Sequence, residues 1–558
     1  MRRSWLSVWL LAVGAASACS GTDGAATADG RRVDGGGAAS GAGGATDGGE
    51  GGPSPNGDGG IDLGDAESPD GHVVIDKCHV PPDETSGDAP TCEKPPAPPN
   101  AFTPKSKWTW TAPGGVGSFT TPLVANLTDD NGDGAIDLCD VPDVIVTTGI
   151  GFASTGSQLF MLAGDTGALE LTFEGAVDGS VNPALGDVDG DGLPEVVAAD
   201  PAGHIVIYDH AGKLQTVGPD VGAWLTEINQ YCTAIAIYDL DADGVPEIIA
   251  GFEVFDHTGT RRFGQVQAAY QGYYWCPANT AADLDGDGKL EVIFGNAAYH
   301  ADGQLYWQIA GPPGQPQVAN LDDDPEPEIL IARQDGLLIL EHDGAVKLGP
   351  YKPFAEPDSP NCWSKPAAIH DFDGDGHADI VASACQNYGV MRLGGAGLSL
   401  LWSASVNDTS GLASSTGFDF LGRGVAEAVY GDQVALYVYD GVTGQLQFSE
   451  PRSSGTLIEY PVVADIDNDQ SADILVVSND QVDPSQFHST IQAFEDAEKR
   501  WIPTRRIWNQ HAYHVTNVRE DGTIPKVMAK SWTKLNTFRT NAQIENGGDC
   551  APPPANPR

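Results

Sequence analysis

The chain has 558 residues, 41% of them apolar, and 12 Trp, so it is long enough for a large core and for more than one ordinary domain. It carries 78 Asp and Glu against 29 Lys and Arg, a net charge of −49. Phosphate binding needs clustered cations, so this balance argues against a nucleic-acid partner; it leaves a solvating acidic surface or cation binding.

The N-terminus reads MRRSWLSVWLLAVGAASACSG. Arg2 and Arg3 precede a short, mostly apolar run from Ser4 to Ala18, the pattern of an export signal too short to span a membrane. Ala16-Ser17-Ala18-Cys19 resembles the lipobox of bacterial lipoproteins. That resemblance implies a signal peptide over 1–18, lipidation at Cys19 and contact with the membrane through the lipid alone; the alternative is an ordinary secretory signal cut near Ala18. Ser20 stands where inner-membrane lipoproteins often carry Asp, so the resemblance implies the outer membrane or cell surface. Of nine cysteines, Cys19 leaves eight, an even number that suggests disulfides in an exported protein. Cys78–Cys92 and Cys362–Cys385 are the expected local pairs, and Cys232 and Cys276 occupy equivalent repeat positions.

Residues 19–100 read as stalk and linker. Up to about residue 75 they are Gly, Ala, Asp and Ser, with too little apolar surface to offset ordering entropy. A flexible coil of that length reaches about 40 Å. The Pro-rich EKPPAPPNAFTP then marks the boundary of the folded body.

From there an acidic motif recurs. The copies are Asp129-Asn131-Asp133-Asp137, Asp187-Asp189-Asp191-Glu195, Asp239-Asp241-Asp243-Glu247 and Asp283-Asp285-Asp287-Glu291, each with Gly at its sixth position. Asn320-Asp322-Asp324-Glu328 has Pro325 in the Gly place, and Asp371-Asp373-Asp375-Asp379 is intact. The copy at Asp419 is broken by Leu421 and Arg423; Asp465-Asp467-Asp469-Asp473 has Gln470 for Gly. A short apolar strand enters each motif, a β-branched run such as PEVVA or PEIIA leaves it, and two more strands succeed it around a Gly turn. Four short strands per unit predict a propeller blade. Eight units predict an all-β, eight-bladed propeller over 101–500, with the eighth blade completed by the N-terminal KWTWT segment; seven blades is the alternative.

Carboxylates at positions 1, 3, 5 and 9 point into one loop, and Gly at 6 permits its turn. Hard oxygen donors in this number suit Ca2+. A helix–loop–helix calcium site is excluded, because position 12 after Asp187, Asp239 and Asp283 is Ala198, Ala250 and Phe294 and the flanks are β; the motif reads as a calcium loop joining two strands of a blade. The layout resembles the FG-GAP/VCBS repeats of integrin α-chain propellers and their bacterial relatives, over roughly residues 118–500. The resemblance implies structural calcium loops, with side chains at 1, 3, 5 and 9 and a backbone carbonyl at 7 as ligands, hence about six or seven ions per chain. Arg423 is expected to replace the ion in its own copy by pairing with Asp419 or Glu427.

Residues 501–558 differ. WIPTRRIWNQHAYHVTN and the residues after it form an aromatic and basic island in an acidic chain. Arg506, His511, Tyr513 and His514 are candidate ligand-binding residues for an anionic polysaccharide, and Tyr273, Tyr274 and Trp275 are a candidate sugar-stacking platform. The segment 501–558 is nevertheless expected to pack on the propeller against its acidic loops, and the 273–275 aromatics to fill space between blades; ligand binding is the alternative for each. HExxH, GxSxG and a phosphate-cradling Gly loop are absent. The sequence thus predicts a surface binding module for an extracellular protein or polysaccharide; the alternatives are a lectin or polysaccharide lyase, or a passive envelope scaffold.

Overall fold

Each acidic unit folds into a four-stranded antiparallel sheet, and the first strands of neighbouring sheets lie side by side around an axis. The computed structural model describes residues 78–80, 92, 101–149, 156–222, 232–264, 276–322, 324–354, 365–408, 413–545 and 548–550. Cys19, Cys362, Tyr273, Tyr274 and Trp275 lie outside the described residues, as does the 1–77 leader and stalk segment.

Eight such sheets make an eight-bladed β-propeller. Blades 1 to 7 begin with the strands Leu123–Ala125, Ala184–Gly186, Thr233–Tyr238, Thr280–Ala282, Gly314–Ala319, Ala368–His370 and Ser415–Phe418. Blade 8 is composite: Val462–Ala464, Asp473–Val477 and Ile491–Asp496 are joined on the outside by Pro104–Trp110, which carries the KWTWT segment. Pairing the chain's first strand with its last blade closes the ring and leaves no open seam. Blade 3 carries one addition, the two-residue strand Val181–Asn182, parallel to its first strand.

The core is a series of wedges between blades. Val197 and Ile205 of blade 2 meet Ile235 and Ile237 of blade 3, and Phe252 of blade 3 meets Phe294 of blade 4. The second strands, such as Glu195–Ala199, are buried throughout because both faces are covered. The outermost strands, such as Leu169–Thr172, are largely exposed.

Every outermost strand also contains a β-bulge, at Glu170, Gln215, Arg262, Tyr306, Lys347, Leu401, Gln447 and, in the closing strand, Lys107. The residue after the bulge packs on the next blade. Trp402 of blade 6 donates from Nε1 to the Gly441 carbonyl of blade 7 at 2.5 Å, and its ring covers Gly444. Gly444 has φ +68°, and a Cβ there would stand 2.5 Å from the indole, so the turn needs Gly on two counts. Trp307 and Trp108 cover Gly344 and Gly167 in the same way.

The cysteine pairing differs from the local expectation. Cys78 joins Cys139 and Cys92 joins Cys550, while Cys232 joins Cys276. Cys78–Cys92 is therefore corrected: the first acidic loop and the end of the C-terminal segment each bring a distant cysteine closer than the neighbour in sequence. Cys385 is also disulfide-bonded.

Candidate metal centres

The acidic loops join the first and second strands of the blades. In blade 2, Asp187 Oδ1 accepts the Gly190 N–H at 2.7 Å and Oδ2 the Gly192 N–H at 3.1 Å. Asp189 accepts the Asp191 N–H at 3.1 Å, and Asp191 that of Leu193 at 2.9 Å. Glu195 opens the second strand and accepts the Val188 N–H at 2.9 Å. The alternating acids thus wind the backbone around themselves by successive side-chain-to-backbone turns. Their carboxylates converge: oxygens of Asp187, Asp189 and Glu195 lie within 4.8 Å of one another, as do those of Asp239, Asp241 and Asp243. In blade 4, Asp285 and Glu291 converge with His300.

The same frame holds elsewhere. Asp371 caps Gly374 and Gly376, Asp373 and Asp375 each cap the residue two ahead, and Asp379 accepts from Phe372 at 3.1 Å. Asp283 caps Gly286, Asp287 caps Lys289 and Glu291 caps Leu284. Asp322 and Asp324 each cap the residue two ahead, with Glu328 on Leu321. Asn320, whose copy lacks the Gly, turns its amide to the Asp324 carbonyl instead. Asp465 caps Asp469 and Gln470, Asp469 caps Ser471, and Asp473 caps Ile466. Gln470 takes the Gly role at φ +67°. Asp467 is held by Lys107, and Glu247 caps Leu240 at 3.0 Å.

The blade 2 loop is short of positive charge. Burial pushes the Glu195 carboxyl up to about 8, and the adjacent Asp189 and Asp187 add to the rise. Glu247 is pushed up to about 7 by burial, with Arg262 opposing. Acids held together out of water in this way favour either protons or a bound cation. The donor set, all oxygen in blade 2, fits a hard divalent ion.

The first copy is placed differently from the others. Asp129, Asn131, Asp133 and Asp137 lie on a longer connection; the residue that opens the second strand of blade 1 is Asp143, which caps Leu127 at 2.8 Å as Glu195 caps Val188. Asp129 caps Gly132 and Gly134. Asp140, the twelfth residue of that loop and buried, accepts from Asp130 and Asn131 at 3.1 Å each and from Asp137 at 2.9 Å. An acid at position 12 is what a twelve-residue calcium loop uses to close on its ion. The spacing Asp129 to Asp140 carried that signal in the sequence.

The remaining sequence candidates sit together in the C-terminal segment, which is buried. Its first part meets blades 1 to 3, and from Gly522 it runs over the loop face from blade 2 to blade 8. Trp508 and Val124 exchange backbone hydrogen bonds, Asn509 bonds Leu185, and Gln510 bonds Ile237 and the Tyr238 hydroxyl. The Gly522 carbonyl accepts from Asp187 of blade 2; Lys526 reaches the Asp243 carbonyl of blade 3 and Lys530 the Asp283 carboxylate of blade 4. Asn536 bonds Asn320 of blade 5, Phe538 bonds Ile369 of blade 6, Thr416 of blade 7 donates to the Arg539 carbonyl, and Asn541 donates to Val463 of blade 8. Arg506 is paired with Glu520 at 2.9 Å; Tyr513 is stacked on Trp508 with ring centroids 4.4 Å apart. His514 stacks between Tyr238 and Phe538, and His511 is fully buried against Tyr460. None of the four presents a surface to solvent.

A cavity of about 300 Å3 that sequence reasoning missed lies where this segment passes blades 6 and 7. His370, His377, Asp419, Lys534, Thr537 and Gln543 are among its lining. Asp419 Oδ1, Thr537 Oγ1 and Gln543 Oε1 are buried there without a hydrogen-bond partner among the described residues.

A family model described as an FG-GAP-like repeat matches residues 142–250. Comparison with curated proteins gives no match. Among solved structures the chain is similar to the V. cholerae biofilm matrix protein Bap1, with 22% identity and a TM-score of 0.68, over 81% of this chain and 100% of that one. It is also similar to a rhamnogalacturonan lyase of Bacillus licheniformis, with 15% identity and a TM-score of 0.45, over 73% of this chain and 75% of that one. At these identities the likeness is one of fold.

Proposed function

We propose that the protein is an exported, lipid-anchored, calcium-binding propeller that serves as a binding module in adhesion or ligand recognition at the bacterial surface. Asp187, Asp189, Asp191 and Glu195 are calcium ligands, and the matching residues of other loops supply further sites. The observation that carries the metal reading is the convergence of three carboxylates of one loop within 4.8 Å. Like charges that close are relieved by protonation or by a cation between them, and three oxygen donors converging on one point suit the cation. The fold shared with a biofilm matrix protein supports the adhesive role, and a propeller offers a broad face built from many loops.

The test is a pair of measurements on the full chain. Melting is followed with calcium and with a chelator; saturating calcium is expected to stabilise by about 3 kcal/mol at one hundred times Kd per site, by mass action. A melt indifferent to the chelator removes the metal reading. Binding to cells and to a glycan array is then measured in calcium. Retention on cells without a glycan hit supports protein adhesion, and no retention on either removes the recognition role.

One observation favours a second reading, recognition of a polysaccharide. Three buried, unpartnered oxygens line the cavity at blades 6 and 7, and sugar hydroxyls donate to such acceptors. A glycan hit abolished by Gln543→Leu would favour it over protein adhesion.

A further inference from the structure

The eight bulges of the outermost strands occupy one equivalent position. In each blade the strand pairing skips one residue on the outermost strand at the same point. A bulge re-aims its extra side chain away from the ladder. In blades 3, 5 and 8 the side chain turns toward the blade's own acidic loop. Arg262 reaches Asp241 Oδ2 at 3.1 Å and also pairs with Glu247. Lys347 lies 2.6 Å from Glu328 and pairs with Asp322. Lys107 lies 3.3 Å from Asp473 and pairs with Asp467. In each case one nitrogen or guanidinium bridges position 3 and position 9 of the loop, where a metal ion would bind both.

Blades 6 and 7 reach the same end from elsewhere. Leu401 fills the bulge of blade 6, but Arg392 on the third strand donates to Asp373 at 2.7 Å and Asp379 at 2.8 Å and pairs with Asp375. In blade 7 Arg423 pairs with Glu427 at 2.5 Å. Blades 1, 2 and 4 differ. Glu170 at the bulge of blade 1 adds an acid beside Asp143. Gln215 of blade 2 turns its amide to Asp209 at 2.7 Å, and among the described residues no ion pair joins Asp187, Asp189, Asp191 or Glu195. Blade 4 has Tyr306 at the bulge, His300 on Glu291 at 2.8 Å, and only the half-exposed Lys530 on Asp283.

We infer that the side chain each blade turns to its acidic loop selects the loop's counter-charge: a lysine or arginine of the chain itself, from the outer-strand bulge in blades 3, 5 and 8 and from the third strand or the loop in blades 6 and 7, stands in for the ion, and metal is left to blades 1, 2 and 4. The inference rests on the calcium reading and narrows it. A tethered cation is always at high local concentration, and it must be expelled before a divalent ion can enter. The arrangement has a mechanical consequence in blade 8. Lys107 belongs to the strand that closes the ring, so an ion pair that no chelator removes holds the seam.

The test is the calcium content of the full chain at saturating free calcium, by atomic emission, for the unaltered protein and three variants. Arg262→Gln and Arg392→Gln vacate the intact loops of blades 3 and 6, and each is expected to gain one ion per chain. Gln215→Lys places an amine over the blade 2 loop and is expected to lose one. Far-UV dichroism and melting confirm that each variant is folded, and Gln215→Lys, on an exposed outer strand, keeps the test open if an arginine variant is not. Calcium content unchanged in all folded variants overturns the inference and leaves the calcium reading standing. An unaltered chain that binds no calcium overturns the calcium reading; the inference then survives only if the arginine variants acquire an ion.

Discussion

The acidic loops and the C-terminal segment meet on one face of the ring, yet they hold their polar groups in opposite ways. Each loop is short, repeated and self-contained: its acids cap backbone N–H groups of the same few residues. The segment is aperiodic and satisfies its polar groups at long range, with Asn509, Gln510, Asn536 and Asn541 each bonded to a different blade. A loop can lose a side chain and damage one blade. A change in the segment is felt by several, because its residues bridge neighbours that otherwise share only an apolar wedge.

The sharpest way to break this comparison is to substitute one residue in each region. Trp508 is fully buried, stacks on Tyr513 and bonds blade 1 through its backbone. Trp508→Ala should cost about 3–5 kcal/mol, the range for deleting a buried large aromatic. Asp189→Ala, measured without calcium so that no ion is lost, should cost no more than about 1 kcal/mol, since it removes one partly exposed cap. Denaturant midpoints in chelator give both numbers. Equal losses would mean that the segment is a passenger on a ring stable without it.

A second difference is in acid. His514 is buried between Tyr238 and Phe538, and burial lowers its pKa from 6.5 to about 4. The unfolded chain therefore binds a proton between about pH 6.5 and pH 4 that the folded chain refuses. Stability rises with pH across that window and is lost as pH falls through it. A shift of this size corresponds to about 3 kcal/mol at its lower end. Unfolding in denaturant at pH 6.5 and 4.5 should show the loss, and His514→Gln should flatten it. A variant with the unaltered slope would place the acid sensitivity in the other buried histidines, His511 and His370, whose pKa burial also lowers; the loop carboxylates, raised by burial, act in the opposite direction.

The contrast also explains what was legible in the sequence. Blade number, strand order and the closing role of KWTWT follow from a repeat of polar motif, β-branched run and Gly turn, because each unit's hydrogen bonds are local. The sequence leads to the expectation that the C-terminal segment packs on the propeller, but its circuit was not legible, since nothing in WNQHAYHVTN states which blade each amide will meet. The Cys78–Cys139 and Cys92–Cys550 bridges escaped for the same reason. The register of the first copy is misleading in sequence because Asp129 to Asp137 imitates the blade motif on an inserted connection, while Asp143, next to Pro142, carries the blade position. The paired cations were half visible. Arg423 stands out because it lies inside the motif, whereas Lys347 and Arg262 lie three residues past the turn glycines Gly344 and Gly259. Only the bulge makes that offset meaningful.

The smallest expected effect concerns the neighbour of one such cation and shows how position outweighs charge. Arg261 and Arg262 are adjacent on the outermost strand of blade 3, but the bulge sends them to different places. Arg262 enters the acidic loop. Arg261 instead pairs with Glu253 at 2.7 Å with its side chain 40% exposed. The arginine end is solvated and screened by salt, but the glutamate end is buried, so the pair is worth more than a fully exposed one. Arg261→Gln should therefore shift the unfolding free energy by about 1 kcal/mol, the glutamine amide keeping a donor for Glu253, and leave calcium content unchanged. Arg262→Gln removes the same charge one residue later and should alter the loop's counter-ion. If the two substitutions behaved alike, net charge on the blade would govern ion binding, and the bulge would have no part in selecting it.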